Sequence, residues 1–101
     1  MDDKLVELPP ARLHVIVEGR VQGVGFRYYV LEKASLLGLT GWVRNRWDDT
    51  VEVLAEGGRE PLDKLLSTLH KGPTASYVEN LKVDWEDYLG EFGGFSIKST
   101  Y

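Results

Sequence analysis

Gly19-Arg20-Val21-Gln22-Gly23-Val24-Gly25-Phe26-Arg27 lies between a strand-like run and a helix-like one, and it packs three glycines and two arginines into nine residues. Before it, Leu13, Val15 and Val17 alternate with His14, Ile16 and Glu18, the period of a half-buried strand. After it, Phe26, Val30, Ala34 and Leu37 recur at helical spacing, with Gly38 placed for a left-handed C-terminal cap. A glycine-rich strand-to-helix connection lets successive backbone N–H groups turn toward one point. A helix N-terminus adds its own free N–H groups and the positive end of its dipole. Arg27, at the helix start, offers a planar fork of donors suited to phosphate. The residues therefore predict a phosphate-binding loop formed by the amides from Arg20 through Val21, Gln22, Gly23 and Val24 to Gly25, closed by the Arg27 guanidinium. Two other phosphate motifs do not fit. No Gly-Lys-Ser/Thr follows, as a Walker loop requires, and Tyr28 stands where the dinucleotide fingerprint needs its third glycine.

Outward from the loop, Thr40 to Trp47 reads as a second strand with Val43, Asn45 and Trp47 on one face. Trp47-Asp48-Asp49-Thr50 reads as a hairpin turn into a third strand, Thr50 to Glu56, where Val51, Val53 and Ala55 alternate with Glu52, Leu54 and Glu56. Leu62, Leu65, Leu66 and Leu69 mark a second amphipathic helix, with Pro61 in its first turn and Gly72-Pro73 ending it. Leu81, Val83 and Trp85 mark a fourth strand, and Phe95 and Ile97 a short edge strand. The order βαββαβ plus a C-terminal strand predicts an α+β fold of the ferredoxin-like, split βαβ type: an antiparallel sheet with two helices on one face.

The second cluster, Gly41-Trp42-Val43-Arg44-Asn45, adds to the first. Together the two resemble the signature of the acylphosphatase family: a Val-Gln-Gly-Val loop ending in Phe-Arg, then Gly-aromatic-Val-basic-Asn. The resemblance runs from about Arg12 to the end of the chain. It implies the ferredoxin-like fold, hydrolysis of a small acyl phosphate to a carboxylate and inorganic phosphate, Arg27 as phosphate-binding residue and Asn45 as the residue that positions water. The family often carries Asp-Gly in the hairpin, where this chain has Asp48-Asp49; Asp tolerates a left-handed turn less well than glycine and adds negative charge. Asn45 also reads as functional on its own terms, because a polar amide sharing a face with Val43 needs a partner that water or ligand can supply. Arg20, Arg44 and Arg46 place further positive charge in or beside the clusters.

Composition bounds the alternatives. One hundred and one residues, 43% hydrophobic and 28% charged, suit one domain with one core, residues 11–101, after a flexible leader at 1–10. Zero cysteines exclude disulfide and thiolate chemistry, and His14 and His70 make no metal-ligating pattern, so no cofactor or metal is expected. No segment suits a signal peptide or membrane span, so a cytoplasmic monomer is expected. A net charge of −4 argues against a broad nucleic-acid-binding face. The RNA-recognition domain shares the topology, but its aromatic platform would be replaced here by His14, Ile16, Glu18, Glu52, Leu54 and Glu56. Trp42, Trp47, Tyr28 and Tyr29 are expected in core and edge packing. Two functional readings remain: a free-standing acylphosphatase, and a non-catalytic module of the same fold binding acyl or carbamoyl phosphate. The chain length favours the first.

Overall fold

In the computed structural model, which describes residues 8–101, β1 (Ala11–Arg20) puts Leu13, Val15 and Val17 completely out of solvent on one face. The chain continues through α1 (Phe26–Leu36), β2 (Thr40–Asn45), β3 (Val51–Gly57), α2 (Arg59–Lys71), β4 (Tyr77–Asp87) and β5 (Phe95–Ile97). The strands form one sheet in the order β4-β1-β3-β2-β5. The first four pair antiparallel as the pattern predicts, and β5 adds to β2 in parallel, which makes the complete sheet mixed.

The core lies between one sheet face and the two helices. Phe26, Val30 and Ala34 of α1 and Leu62, Leu65 and Leu69 of α2 bury against Leu13, Val15, Val17, Val43, Val51, Val53 and Ala55. Each Leu or Val so buried contributes on the order of 1.5–3 kcal/mol relative to leaving it exposed. The end of α1 follows from its sequence: Leu39 N–H donates to the Ala34 carbonyl and Gly38 N–H to the Ser35 carbonyl, with Gly38 at φ 72°, a Schellman cap. A register shift between Glu18 and Gly19 bends the last residues of β1 as they enter the loop.

β2 and β4 differ most from the sequence expectation. β2 ends at Asn45 rather than Trp47, because Arg46 and Thr50 close the hairpin neck, Arg46 N–H donating to the Thr50 carbonyl at 2.9 Å. Trp47 is consequently on the turn and 82% exposed, and Tyr28 is exposed as well, so neither packs in the core. β4 extends well beyond Leu81–Trp85 at both ends. On β3 the alternation predicts a half-exposed strand, yet Glu52 and Glu56 are only 6% and 1% exposed. β3 lies central in the sheet, and hydrogen-bonding neighbours partner both carboxylates: Arg12 Nε with Glu56 at 3.0 Å, His14 Nε2 and Arg44 Nε with Glu52 at 2.7 Å each. The leader expected at 1–10 lies mostly outside the described residues.

Candidate active site

Five residues, Val21 to Gly25, join β1 to α1. Val21 is buried and Val24 packs against the core, so the segment is pinned at two points. Between and after them Gly23 and Gly25 take φ of 73° and 78°, the left-handed region, and both are solvent-exposed. Alternating buried side chains and left-handed glycines turn successive peptide N–H groups to the same side, the geometry of an anion nest. Gly25 is the N-cap of α1 and supplies no side-chain cap, and the first turn holds no acidic residue. Tyr29 is the first N–H bonded back to the Gly25 carbonyl, at 3.1 Å. The N–H groups of Phe26, Arg27 and Tyr28 thus have no intrahelical acceptor, as at any helix start.

The arginines separate into two groups. Among the six in the chain, Arg12, Arg44, Arg46 and Arg59 each lie within salt-bridge distance of a carboxylate. Arg20 and Arg27 have no such partner among the described residues. Arg27 is half-buried in the first turn of α1, while Arg20 is exposed as the last residue of β1, opposite Tyr77. Arg44, next to Asn45 in sequence, points to the other face of the sheet because strand residues alternate. There its guanidinium stacks on Trp42 at 4.5 Å and Tyr101 at 4.0 Å and pairs with Glu52. Arg46 also reaches Glu52, at 3.4 Å, and Asp48 at 3.6 Å. Burial alone would raise the Glu52 pKa, but hydrogen bonds from His14 and Arg44 and their charges outweigh it and hold the group below the ordinary carboxylate value. Of the four arginines in or beside the two clusters, Arg44 and Arg46 are therefore neutralised by carboxylates.

Asn45 is the last residue of β2, opposite Val51. Val17, Val51 and Asn45 form one row across β1, β3 and β2, a distance of two strand spacings or about 10 Å. Asn45 shares the helix-bearing face with Val43, as the alternation predicts, at the end of the sheet where β1 gives way to the loop. Its side-chain amide has no hydrogen-bond partner among the described residues. The loop reaches this corner directly, since Gln22 Nε2 donates to the carbonyls of Arg46 and Thr50, each at 2.8 Å. The structure thus gathers the loop, the start of α1 with Arg27, and Asn45 at one end of the sheet, and leaves Arg44 outside. The two clefts lined by Gly41, Trp42 and Phe92 and by Pro9, Arg59 and Tyr88 lie elsewhere. Sequence reading missed Tyr101, whose N–H donates to the Asn45 carbonyl and whose carbonyl accepts from Trp47, both at 3.0 Å. No local pattern marks it, because the contact is made by backbone groups more than fifty residues apart.

The family model for acylphosphatase matches residues 13–97. The chain belongs to the acylphosphatase family. An acylphosphatase of Pelotomaculum thermopropionicum is 53% identical over 87 residues, 86% of this chain and 95% of that one. The crystal structure of acylphosphatase from Bacillus subtilis matches with a TM-score of 0.85 at 41% identity, over 87% of this chain and 98% of that one. Full-length HypF in its phosphate- and nucleotide-bound form matches with a TM-score of 0.83 at 24% identity, over 97% of this chain but 13% of that one; this likeness is one of fold alone. Membership in the family covers both motif clusters, Arg27 and Asn45 included.

Proposed function

We propose that this chain hydrolyses the carboxyl–phosphate anhydride of small acyl phosphates, releasing a carboxylate and inorganic phosphate. The observation that carries the reading is an uncapped helix start beside Arg27 and, at the same end of the sheet, the Asn45 amide, with neither side chain partnered among the described residues. The phosphoryl oxygens rest on the amides of Arg20, Val21, Gln22, Gly23, Val24 and Gly25, and Arg27 takes two of them in a bidentate grip. The Asn45 amide holds a water in line with the bond to be broken. Attack forms the bond from water oxygen to phosphorus and breaks the bond from phosphorus to the carboxyl oxygen, which leaves as carboxylate with the electron pair. Asn45 has no basic group, so the water's proton passes to a phosphate oxygen of the substrate. A carboxylate is a good leaving group and needs no general acid, and no step requires a metal ion.

The same reading has residues 11–101 act as a single domain and a monomer in the cytoplasm, with inorganic phosphate as product and competitive ligand. No described helix is long and apolar enough to cross a membrane. Asn45→Ala tests the division of labour. A preorganised polar group that acts mainly in the transition state should lower kcat by roughly 10²-fold when removed, with KM nearly unchanged and phosphate still binding. Near-normal kcat with a lowered Tm would make Asn45 a structural residue. Tight phosphate binding by the unsubstituted protein with no turnover of benzoyl phosphate would instead favour the non-catalytic binding module.

A further inference from the structure

One side chain spans the gap between the loop and the hairpin. Both hydrogens of the Gln22 amide nitrogen are committed, one to the Arg46 carbonyl and one to the Thr50 carbonyl. Those two carbonyls belong to the hairpin neck, where Arg46 N–H also donates to Thr50. Arg46 follows Asn45, and Thr50 precedes Val51, the residue directly opposite Asn45. A single planar amide therefore grips both strands one residue beyond the Asn45–Val51 pair, on its turn side. With its hydrogens spent in this way, the amide has none left for a phosphate oxygen; only the Gln22 backbone N–H remains for the cradle.

We infer that Gln22 is a positioning residue whose side chain locks Asn45 in register with the phosphate loop. The inference rests on Asn45 as the water-orienting group. The loop sets where phosphorus sits, and the β2–β3 ladder sets where Asn45 points; the sheet joins β1 to β2 only through β3, whereas the Gln22 side chain ties the loop itself to the hairpin neck. In-line attack depends on that relation, and a misplacement of about 1 Å can cost roughly 10²-fold in rate. Val21 and Val24 pin the loop to the hydrophobic core, and between them the Gln22 side chain adds the polar tie to the hairpin neck. Glutamine suits the task chemically. It donates twice to two neighbouring carbonyls without placing charge beside a dianionic substrate.

Benzoyl phosphate hydrolysis, inhibition by inorganic phosphate and Tm are measured for Gln22→Ala, Gln22→Met, Gln22→Glu, Asn45→Ala and the Gln22→Ala/Asn45→Ala pair. Gln22→Ala should lower kcat about 10- to 10²-fold, with KM and phosphate inhibition nearly unchanged. Gln22→Met keeps the volume and should lose as much rate, which separates the clamp from packing. Because Gln22 acts through Asn45, adding Gln22→Ala to Asn45→Ala should cost little more. Gln22→Glu presents a carboxylate to two carbonyl oxygens, so its pKa is raised. It should be slow at neutral pH and recover in part as pH falls toward about 5, where a protonated carboxyl donates one of the two bonds. Full additivity in the double variant, or phosphate inhibition weakened in step with kcat, overturns the clamp. Wild-type kcat in Asn45→Ala alone removes the reading on which it rests, and that single variant tells the two failures apart.

Discussion

Asp49 is the one non-glycine residue with positive φ among the described residues, at 72°. Holding an L-residue there costs roughly 1–2 kcal/mol, with Asp at the low end when its side chain can bond locally. In this hairpin the local bonds come from its neighbour: Asp48 accepts from Thr50 N–H at 3.2 Å and from the Thr50 hydroxyl at 2.6 Å. Asp49 makes none among the described residues. Asp49→Gly should therefore relieve most of the strain, less about 0.4–1 kcal/mol for the extra freedom glycine gives the unfolded chain. At the middle of those ranges the net gain is about 0.8 kcal/mol, or about 3–6 °C in Tm for a domain of this size. Asp49→Ala keeps the penalty without relieving it, so it should melt no higher than the unsubstituted protein and below Asp49→Gly. The hairpin neck at Arg46 and Thr50 is untouched in both, so kcat should hold. Asp49→Asn removes the charge alone, and any tightening of phosphate inhibition it shares with Asp49→Gly is electrostatic and should fade with salt. Thermal melts of the four proteins decide the matter. If Asp49→Gly melts at or below the starting protein while Asp49→Ala matches it, residue 49 is not held in the left-handed region.

Arg27→Ala should weaken phosphate inhibition together with catalysis, and Arg27→Lys should recover the charge but not the bidentate grip; unchanged inhibition in Arg27→Ala would take this residue out of the site. Hydrolysis of benzoyl phosphate should continue in excess chelator, and activity abolished by chelation and restored by a divalent ion would overturn the proposed mechanism. Glu52 and Glu56 are both held below the ordinary value of 4.5. For Glu56, burial pushes upward, and the Leu89 amide and Arg12 outweigh it. A depressed carboxyl contributes stability above its unfolded value and loses it as pH falls through the folded one. Tm should therefore be flat above about pH 5 and decline below 4.5, with Glu56→Gln showing a lower plateau and a shallower acid limb; a Tm constant to pH 3 would refute this.

Most of the fold is legible because its elements carry their period in apolar residues. Leu13, Val15 and Val17 announce β1, and the leucines from 62 to 69 announce α2, since each set faces one core. Legibility fails where a residue's surroundings are set by distant chain. The ends of β4 carry Tyr77, Glu86 and Asp87, which pair with β1 through backbone alone and so leave no alternating signal. Burial of Glu52 and Glu56 depends on Arg12, His14 and Arg44 meeting them across strands, which requires the register. The loop, Arg27 and Asn45 were readable as candidates, because glycine spacing and a polar residue on an apolar face are local features. The face occupied by Arg44 was readable too: if Val43 and Asn45 point toward the helices, residue 44 points away. The Gln22 clamp and the Tyr101 strap were not, since a lone amide or a backbone group has no periodicity to betray its partner.

The distribution of charge over the sheet bears on how such a site turns over. Four side chains, Glu52, His14, Arg44 and Arg46, form one network in which the carboxylate absorbs the cations that flank Asn45 in sequence. On the proposed reading, what serves the phosphoryl group is then an array of backbone amides, the Arg27 guanidinium and a neutral amide at Asn45. Additional cations around that group would hold substrate, transition state and product phosphate alike, and uniform binding of this kind does not raise kcat. It would also retard release of a dianionic product. Groups fixed in place and aimed at the in-line geometry act differently, because their benefit is greatest when charge and bonds are rearranging. By this argument the acidic residue on the far face and the neutral clamp on the near one serve the same end: the loop keeps enough positive potential to select a phosphoryl group, and the rate is left to depend on where Asn45 points.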